Sequence, residues 1–469
     1  MIPPMTPTTA PDAPTAHEQP WSPTSWQSRP GAYLPEYPDK PTLYEAVREL
    51  ASLPPLVTSW EIERLRGQIA EAQQGKRFLL QGGDCAETLA DCQPARVTNK
   101  LKILLQMSIV LVHGLKKPVI RVGRFAGQYA KPRSSATETR EVGGEPVTLP
   151  SYFGDLVNRA EFTPQARRAD PRLLVKGYQH AALTLNFVRA LVAGGFADAH
   201  HPEYWDLSFS KQTSLDPAIR HEYERMTANL ADGLKFMEAL SEGSVGDLTR
   251  AEFFTSHEAL NLWYESAQTR KVPRREGFYD LSTHLPWIGD RTRGLDGAHV
   301  EFCRGIRNPV GVKLGPAATV RDVMSLAAAL NPGNEAGKLV FITRLGAGNV
   351  RRVLPSLLEA ARAAGLAALW VCDPMHGNTT VTAGGVKTRS FEAIVRELEE
   401  TNDAHERAGV PLGGVHFELT GEDVTECTGG ALRITEAQLR DNYGSACDPR
   451  LNYQQALEVA FLLARRMGR

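Results

Sequence analysis

A chain of 469 residues, 42% of them hydrophobic, can bury one large core, and its formal charge of −1 excludes a broad nucleic-acid footprint. Any anionic ligand must therefore be met by local clusters of Arg and Lys. Six cysteines without framework spacing point to a reducing compartment, and the sequence holds no apolar run of membrane-spanning length and no basic-then-apolar leader at its start, so no membrane partner and a cytoplasmic location are expected.

Residues 1–30, rich in Pro, Thr, Ser and Ala, predict a mobile tail. Residues 31–76 predict a helical extension with helices at 44–53 and 59–73, the second carrying Trp60, Ile62, Leu65 and Ile69 near helical spacing. From residue 77 to 469 short apolar runs alternate with helical segments, the order of parallel βα units. Strands are expected in 78–85, 118–126, 251–256, 278–289, 310–315, 338–346, 369–378 and 414–421, with a helix at 95–113 after the first. Eight such strands make the fold class α/β, a (β/α)8 TIM barrel.

The gap between the second and third strands exceeds one crossover. It predicts a polar loop at 131–150, a helix near 173–192 and a helical insertion at about 198–247. In the insertion Ile219, Tyr223, Met226, Leu230, Leu234, Met237 and Leu240 form one apolar face. Two readings stay open: this face packs on the barrel's own helices, or it belongs to an inserted helix pair that makes an oligomer contact or a regulatory pocket.

Three strand-like runs, the first, seventh and eighth, each end in a metal-type ligand: Cys85, His376 and Glu418. Those strands are consecutive around a closed barrel, so the three side chains converge at the C-terminal mouth, where such barrels keep their chemistry. Asp448 lies one helix-sized step after the last strand and reaches the same point. Singly such residues carry little weight, but a mixed Cys/His/Glu/Asp set at strand exits suits Mn, Fe, Co or Zn better than Mg or Ca.

Cations gather at the same exits. Arg124 ends the second strand, and Lys131, Arg133 and Ser134 follow on its loop. Arg291 and Arg293 follow the fourth strand, Lys313 sits on the fifth, and Arg344 ends the sixth. By alternation Lys313 points opposite to Val312 and Leu314, into the barrel, where a bound phosphate or carboxylate would offset the cost of burying its charge.

Six runs in order, Leu-Gln-Gly-Gly-Asp-Cys-Ala-Glu (80–87), Ala-Gly-Gln-Tyr-Ala-Lys-Pro-Arg-Ser (126–134), Ser-His-Glu-Ala-Leu (256–260), Asp-Pro-Met-His-Gly-Asn-Thr (373–379), Glu-Leu-Thr-Gly-Glu-Asp-Val-Thr-Glu-Cys (418–427) and Cys-Asp-Pro-Arg-Leu-Asn (447–452), closely resemble type II 3-deoxy-D-arabino-heptulosonate-7-phosphate (DAHP) synthases. The resemblance implies a metal-dependent, aldol-like condensation of phosphoenolpyruvate with erythrose 4-phosphate, the entry step of the shikimate pathway. It implies one divalent metal ion, Mn2+ or Co2+ before Zn2+, Fe2+ or Cd2+, held by Cys85, His376, Glu418 and Asp448. Arg124, Arg291, Lys313 and Arg344 would hold phosphoenolpyruvate, and Lys131, Arg133 and Ser134 the sugar phosphate. Lys313 is the candidate for proton transfer or for stabilising the carboxylate and bridging oxygen.

The pattern departs from the family at Asp290, a candidate catalytic residue where an active-site glutamate is usual, at Phe153, where arginine is usual, and in Arg344-Leu345-Gly346-Ala347-Gly348-Asn349, where Arg-Met-Gly followed by a charged pair is more common. One alternative is an aminoDAHP synthase using an imino or amino form of the sugar for 3-amino-5-hydroxybenzoate; another is a catalytically weak regulatory subunit. The resemblance also implies a homodimer or homotetramer, aromatic amino acid effectors and chorismate mutase as a partner. Cys447, beside Asp448, is expected near enough to Cys85 to form a disulfide that expels the metal under oxidation.

Overall fold

The computed structural model describes residues 20–133, 135–194, 217–226, 252–445 and 447–468. Eight parallel strands close into a barrel: β1 (Phe78–Gly83), β2 (Val119–Arg124), β3 (Phe253–Glu258), β4 (Leu285–Ile288), β5 (Val310–Leu314), β6 (Leu339–Thr343), β7 (Ala368–Cys372) and β8 (Gly414–Glu418). β1 pairs with both β2 and β8, so Gly83 lies opposite Arg124 on one side and Glu418 on the other. That register puts the ends of the first and last strands at one level.

Alternation along each strand divides its apolar residues between two cores. Leu79, Val122, Phe254, Trp287, Ile342 and Val371 point inward, while Phe341, Val312 and Phe417 pack under the surrounding helices. The inner cluster is completed by Leu65, Ile69 and Ala72 of the helix Ser59–Gln73, which plugs the barrel at the end where the strands begin. Thr58 and Glu61 form a capping box that fixes where this helix starts. With one end filled by aliphatic side chains, a polar ligand enters only at the other. Among the described residues, no helix is long and apolar enough to cross a membrane.

Two segments differ from the expectations. The expected tail includes residues 20–30, but this stretch lies on the barrel. Ser25–Ser28 form a 3-10 turn, Trp26 is buried edge-on against Trp263, and Trp21 Nε1 donates to the Glu301 carbonyl at 2.9 Å. Two tryptophans outweigh a composition that otherwise favours disorder. The expected polar loop at 131–150 contains an antiparallel hairpin, Thr137–Val142 with Glu145–Pro150. Its turn is Gly143-Gly144, both at positive φ, a local signal for a hairpin that overall polarity concealed.

The insertion agrees with expectation as far as it is described. Its described part, 217–226, is helical; Tyr223 and Met226 are buried and Ile219 packs beside them in the outer core. These three residues of the apolar face join that outer core. The rest of 198–247 lies outside the described residues.

Candidate active site

Every strand delivers a polar group to the open end. Cys85 follows β1, Arg124 ends β2, Glu258 ends β3, Asp290 follows β4, Lys313 lies in β5, Arg344 follows β6, His376 follows β7 and Glu418 ends β8. All but Glu418 line one cavity of about 280 Å³, together with Gln128, Lys131, Arg133, Trp287, Arg291, Lys387 and Asp448. Gly83 adopts φ 146°, and a Cβ there would lie 2.8 Å from the Arg124 carbonyl oxygen, so the turn that aims Cys85 inward requires glycine.

Cys85, Glu418 and Asp448 bring one ligand-type atom each within 4.8 Å of one another. His376 joins through Glu418: its Nε2 lies 2.9 Å from Glu418 Oε1. Its Nδ1 faces Asp373 Oδ2 at 2.7 Å, and with a proton on Nδ1 the Nε2 lone pair is left as a metal donor. Thiol, imidazole and two carboxylates form the donor chemistry of a borderline divalent ion, so these residues fit the metal the family implies.

Behind the donors lies a second set of contacts. Asp84 points away from the cavity and pairs with Lys100 at 2.5 Å and Arg450 at 2.7 Å, and Arg450 also pairs with Glu426 at 2.8 Å. This ties the exit of β1 to the segment bearing Asp448. Burial disfavours ionised Glu418, but His376, Lys131, Arg389 and Arg124 outweigh it and hold its carboxyl well below the usual carboxylate range.

The cations differ in how firmly they are committed. Arg124 reaches the Cys85 carbonyl at 3.1 Å and Glu418 at 3.0 Å, and lies 2.6 Å from His416 Nε2, while its buried Nε has no hydrogen-bond partner. Lys313 pairs with Asp373, and burial lowers its pKa to about 8 against the attraction of that carboxylate. Arg344 spans Asp290 at 3.3 Å and the His376 carbonyl at 3.0 Å. Arg291 is exposed at the rim, its guanidinium 6.0 Å from the Tyr33 ring centre. Arg293 is held by Asp290 and Asp322 and does not line the cavity. Ser134 lies outside the described residues.

Asp290 accepts from the Gly315 amide at 2.8 Å as well as from Arg293 and Arg344. Phe153 meets the site through its backbone, its carbonyl accepting from the Lys131 amide at 2.9 Å.

Several residues of the site were not singled out as functional in the sequence. The hairpin Thr379–Val381 with Lys387–Arg389 sends Lys387 to Asp448 at 3.1 Å and fully buried Arg389 to Glu418 at 2.6 Å. Glu258 ends β3 inside the run 256–260; burial raises its carboxyl pKa and its Oε1 has no hydrogen-bond partner. Its strand-exit position, the signal used for the other ligands, was available. Asp373, which joins Lys313 to His376, stands at a strand exit too.

The model of the "Class-II DAHP synthetase family" matches residues 21–464. The chain is 45% identical to a phospho-2-dehydro-3-deoxyheptonate aldolase of Neurospora crassa, over 97% of this chain and 95% of that one. It is 45% identical to a protein of the same name from Streptomyces coelicolor, over 96% and 98% of the two chains. A third relative, phospho-2-dehydro-3-deoxyheptonate aldolase AroG of Mycolicibacterium smegmatis, is 43% identical over 93% and 92%. With the closed barrel and its mouth, these matches show that the chain belongs to the class-II DAHP synthetase family.

Proposed function

We propose that the protein condenses phosphoenolpyruvate with erythrose 4-phosphate to give DAHP and phosphate, the first step towards the aromatic amino acids, and that it does so with one divalent metal ion, Mn2+ or Co2+ foremost. The observation that carries this reading is the cavity itself, in which cations from β2, β4, β5 and β6 stand beside the Cys85, Glu418 and Asp448 donors.

Two phosphorylated anions approach only if cations are already in place and desolvated. Arg124, Arg291, Lys313 and Arg344 bind the phosphate and carboxylate of phosphoenolpyruvate, the unpartnered Arg124 Nε serving as a donor in reserve. Lys131 and Arg133, with Ser134, receive the sugar phosphate. Cys85, His376, Glu418 and Asp448 would hold the ion, which would supply Lewis acidity for the aldehyde. The methylene carbon of the enol forms the new bond to the aldehyde carbon, water adds at C2, and phosphate leaves with cleavage of the C–O bond. Lys313, which lines the cavity, holds or delivers the proton that balances the step.

The test is phosphate release from phosphoenolpyruvate by metal-loaded protein, assayed in parallel with erythrose 4-phosphate and its imino counterpart, before and after chelation. Turnover with the imino sugar alone favours the aminoDAHP reading, which the Asp290 and Phe153 departures motivate. No turnover with either leaves a binding protein.

Asp290→Ala is expected to raise KM for phosphoenolpyruvate about tenfold, because Arg344 loses the carboxylate that orients it. An unchanged KM with either sugar removes Asp290 from the site's machinery.

Cys447 precedes Asp448, whose amide donates to Cys85 Sγ at 3.3 Å, and both thiols are free. Peroxide is expected to join them, the two thiol hydrogens and the peroxide leaving as two waters, with metal content falling and a dithiol restoring it. Cys447→Ser should retain metal through the same treatment; equal losses from both proteins would rule the bond out.

A further inference from the structure

The Lys131 ammonium sits among the donors assigned to the metal. It hydrogen-bonds Cys85 Sγ and lies 2.9 Å from Asp448 Oδ2 and 3.5 Å from Glu418 Oε1. These are the same three residues whose ligand atoms cluster within 4.8 Å. An ammonium and a divalent ion at such distances from one set of atoms repel strongly in a buried site, so the two exclude each other.

The backbone around Lys131 is pinned. Its amide donates to the Phe153 carbonyl at 2.9 Å, the Glu87 amide to the Gln128 carbonyl at 2.8 Å, and Glu87 accepts from the Gly127 and Gln128 amides at 3.1 Å each. The loop is therefore anchored, and only the flexible four-carbon side chain is free to move. Other cations also pair with the carboxylates: Arg124 and Arg389 with Glu418, and Lys387 with Asp448.

We propose that Lys131 is the built-in counter-cation of the metal cradle, occupying it in the metal-free protein, and that metal binding drives its ammonium out into the cavity, where it meets the sugar substrate. The proposal rests on the metal-dependent reading above and deepens it. It makes sugar binding conditional on metal, because the ammonium is offered to the substrate only after the ion has replaced it. It also makes the lysine a competitor: a cradle filled for about nine-tenths of the time binds its ion about tenfold more weakly than a free one.

Two measurements on the full chain, stripped with a chelator and without substrate, test this. In a Co2+ titration by calorimetry, Lys131→Met, which keeps the length and loses the charge, should bind about tenfold more tightly than the unaltered protein. Equal or weaker binding overturns the proposal, since a lysine that merely supports the site would weaken it when lost. The second measurement needs no variant: acetylation of Lys131 followed by mass spectrometry should be slow in the stripped protein and about tenfold faster once Co2+ is added. Tight Co2+ binding with unchanged labelling overturns the displacement alone. Absence of Co2+ binding by the unaltered protein removes the metal-dependent reading and this inference together.

Discussion

Glu418→Ala is expected to abolish metal binding and turnover and to cost about 3–5 kcal/mol of folding stability. The carboxylate is fully buried and pairs with Arg124 at 3.0 Å and Arg389 at 2.6 Å, with Lys131 at 3.5 Å and His376 Nε2 at 2.9 Å. Removing it leaves two buried guanidinium groups without their shared counter-charge, a far larger penalty than the packing lost with a short side chain. Glu418→Gln keeps the volume but not the charge, so it should recover part of the packing and none of the metal. Urea unfolding with metal analysis checks both; an alanine variant that keeps its ion and its stability would show that Glu418 is neither ligand nor keystone.

Lys313→Met is expected to lower kcat/KM by about 10²–10⁴, the range for losing a positioned proton-transfer group. With Lys313 depressed to about 8, its cationic form is lost as pH rises through that value. The kcat/KM profile of the free enzyme should therefore fall above about pH 8, and Lys313→Arg, charged throughout, should lack this limb whatever its rate. A profile flat past pH 9 would separate Lys313 from the chemistry.

The same shift has a sign in stability. The folded-state pKa lies below the ordinary 10.5, so between about 8 and 10.5 the unfolded chain binds more protons. Stability from this group accordingly rises with pH across that window, because the cost of burying a charged amine disappears. Activity and stability thus move in opposite directions there, which distinguishes a group kept for function from one kept for packing.

Much of the barrel was legible because its signals are local. Runs such as Leu339–Thr343 and Gly414–Glu418 are too short for helices and are bounded by residues that end strands. The Ser59–Gln73 helix announced itself by the helical spacing of Ile62, Leu65 and Ile69. What a composition average cannot register is a few large side chains, as with Trp21 and Trp26, or a tight glycine turn inside a polar stretch.

By itself, the order of residues determined the eight strands, and therefore which side chains stand at strand ends, since strand alternation and strand exits depend only on neighbours in the chain. Only the tertiary structure decided what those side chains meet. Arg389 reaches Glu418 from a hairpin, Asp373 links Lys313 to His376, and Lys131 falls among Cys85, Glu418 and Asp448 across more than three hundred residues of chain between the last of these and itself. The reason is physical: charges buried in one low-dielectric space choose partners by distance and desolvation, and barrel closure sets both.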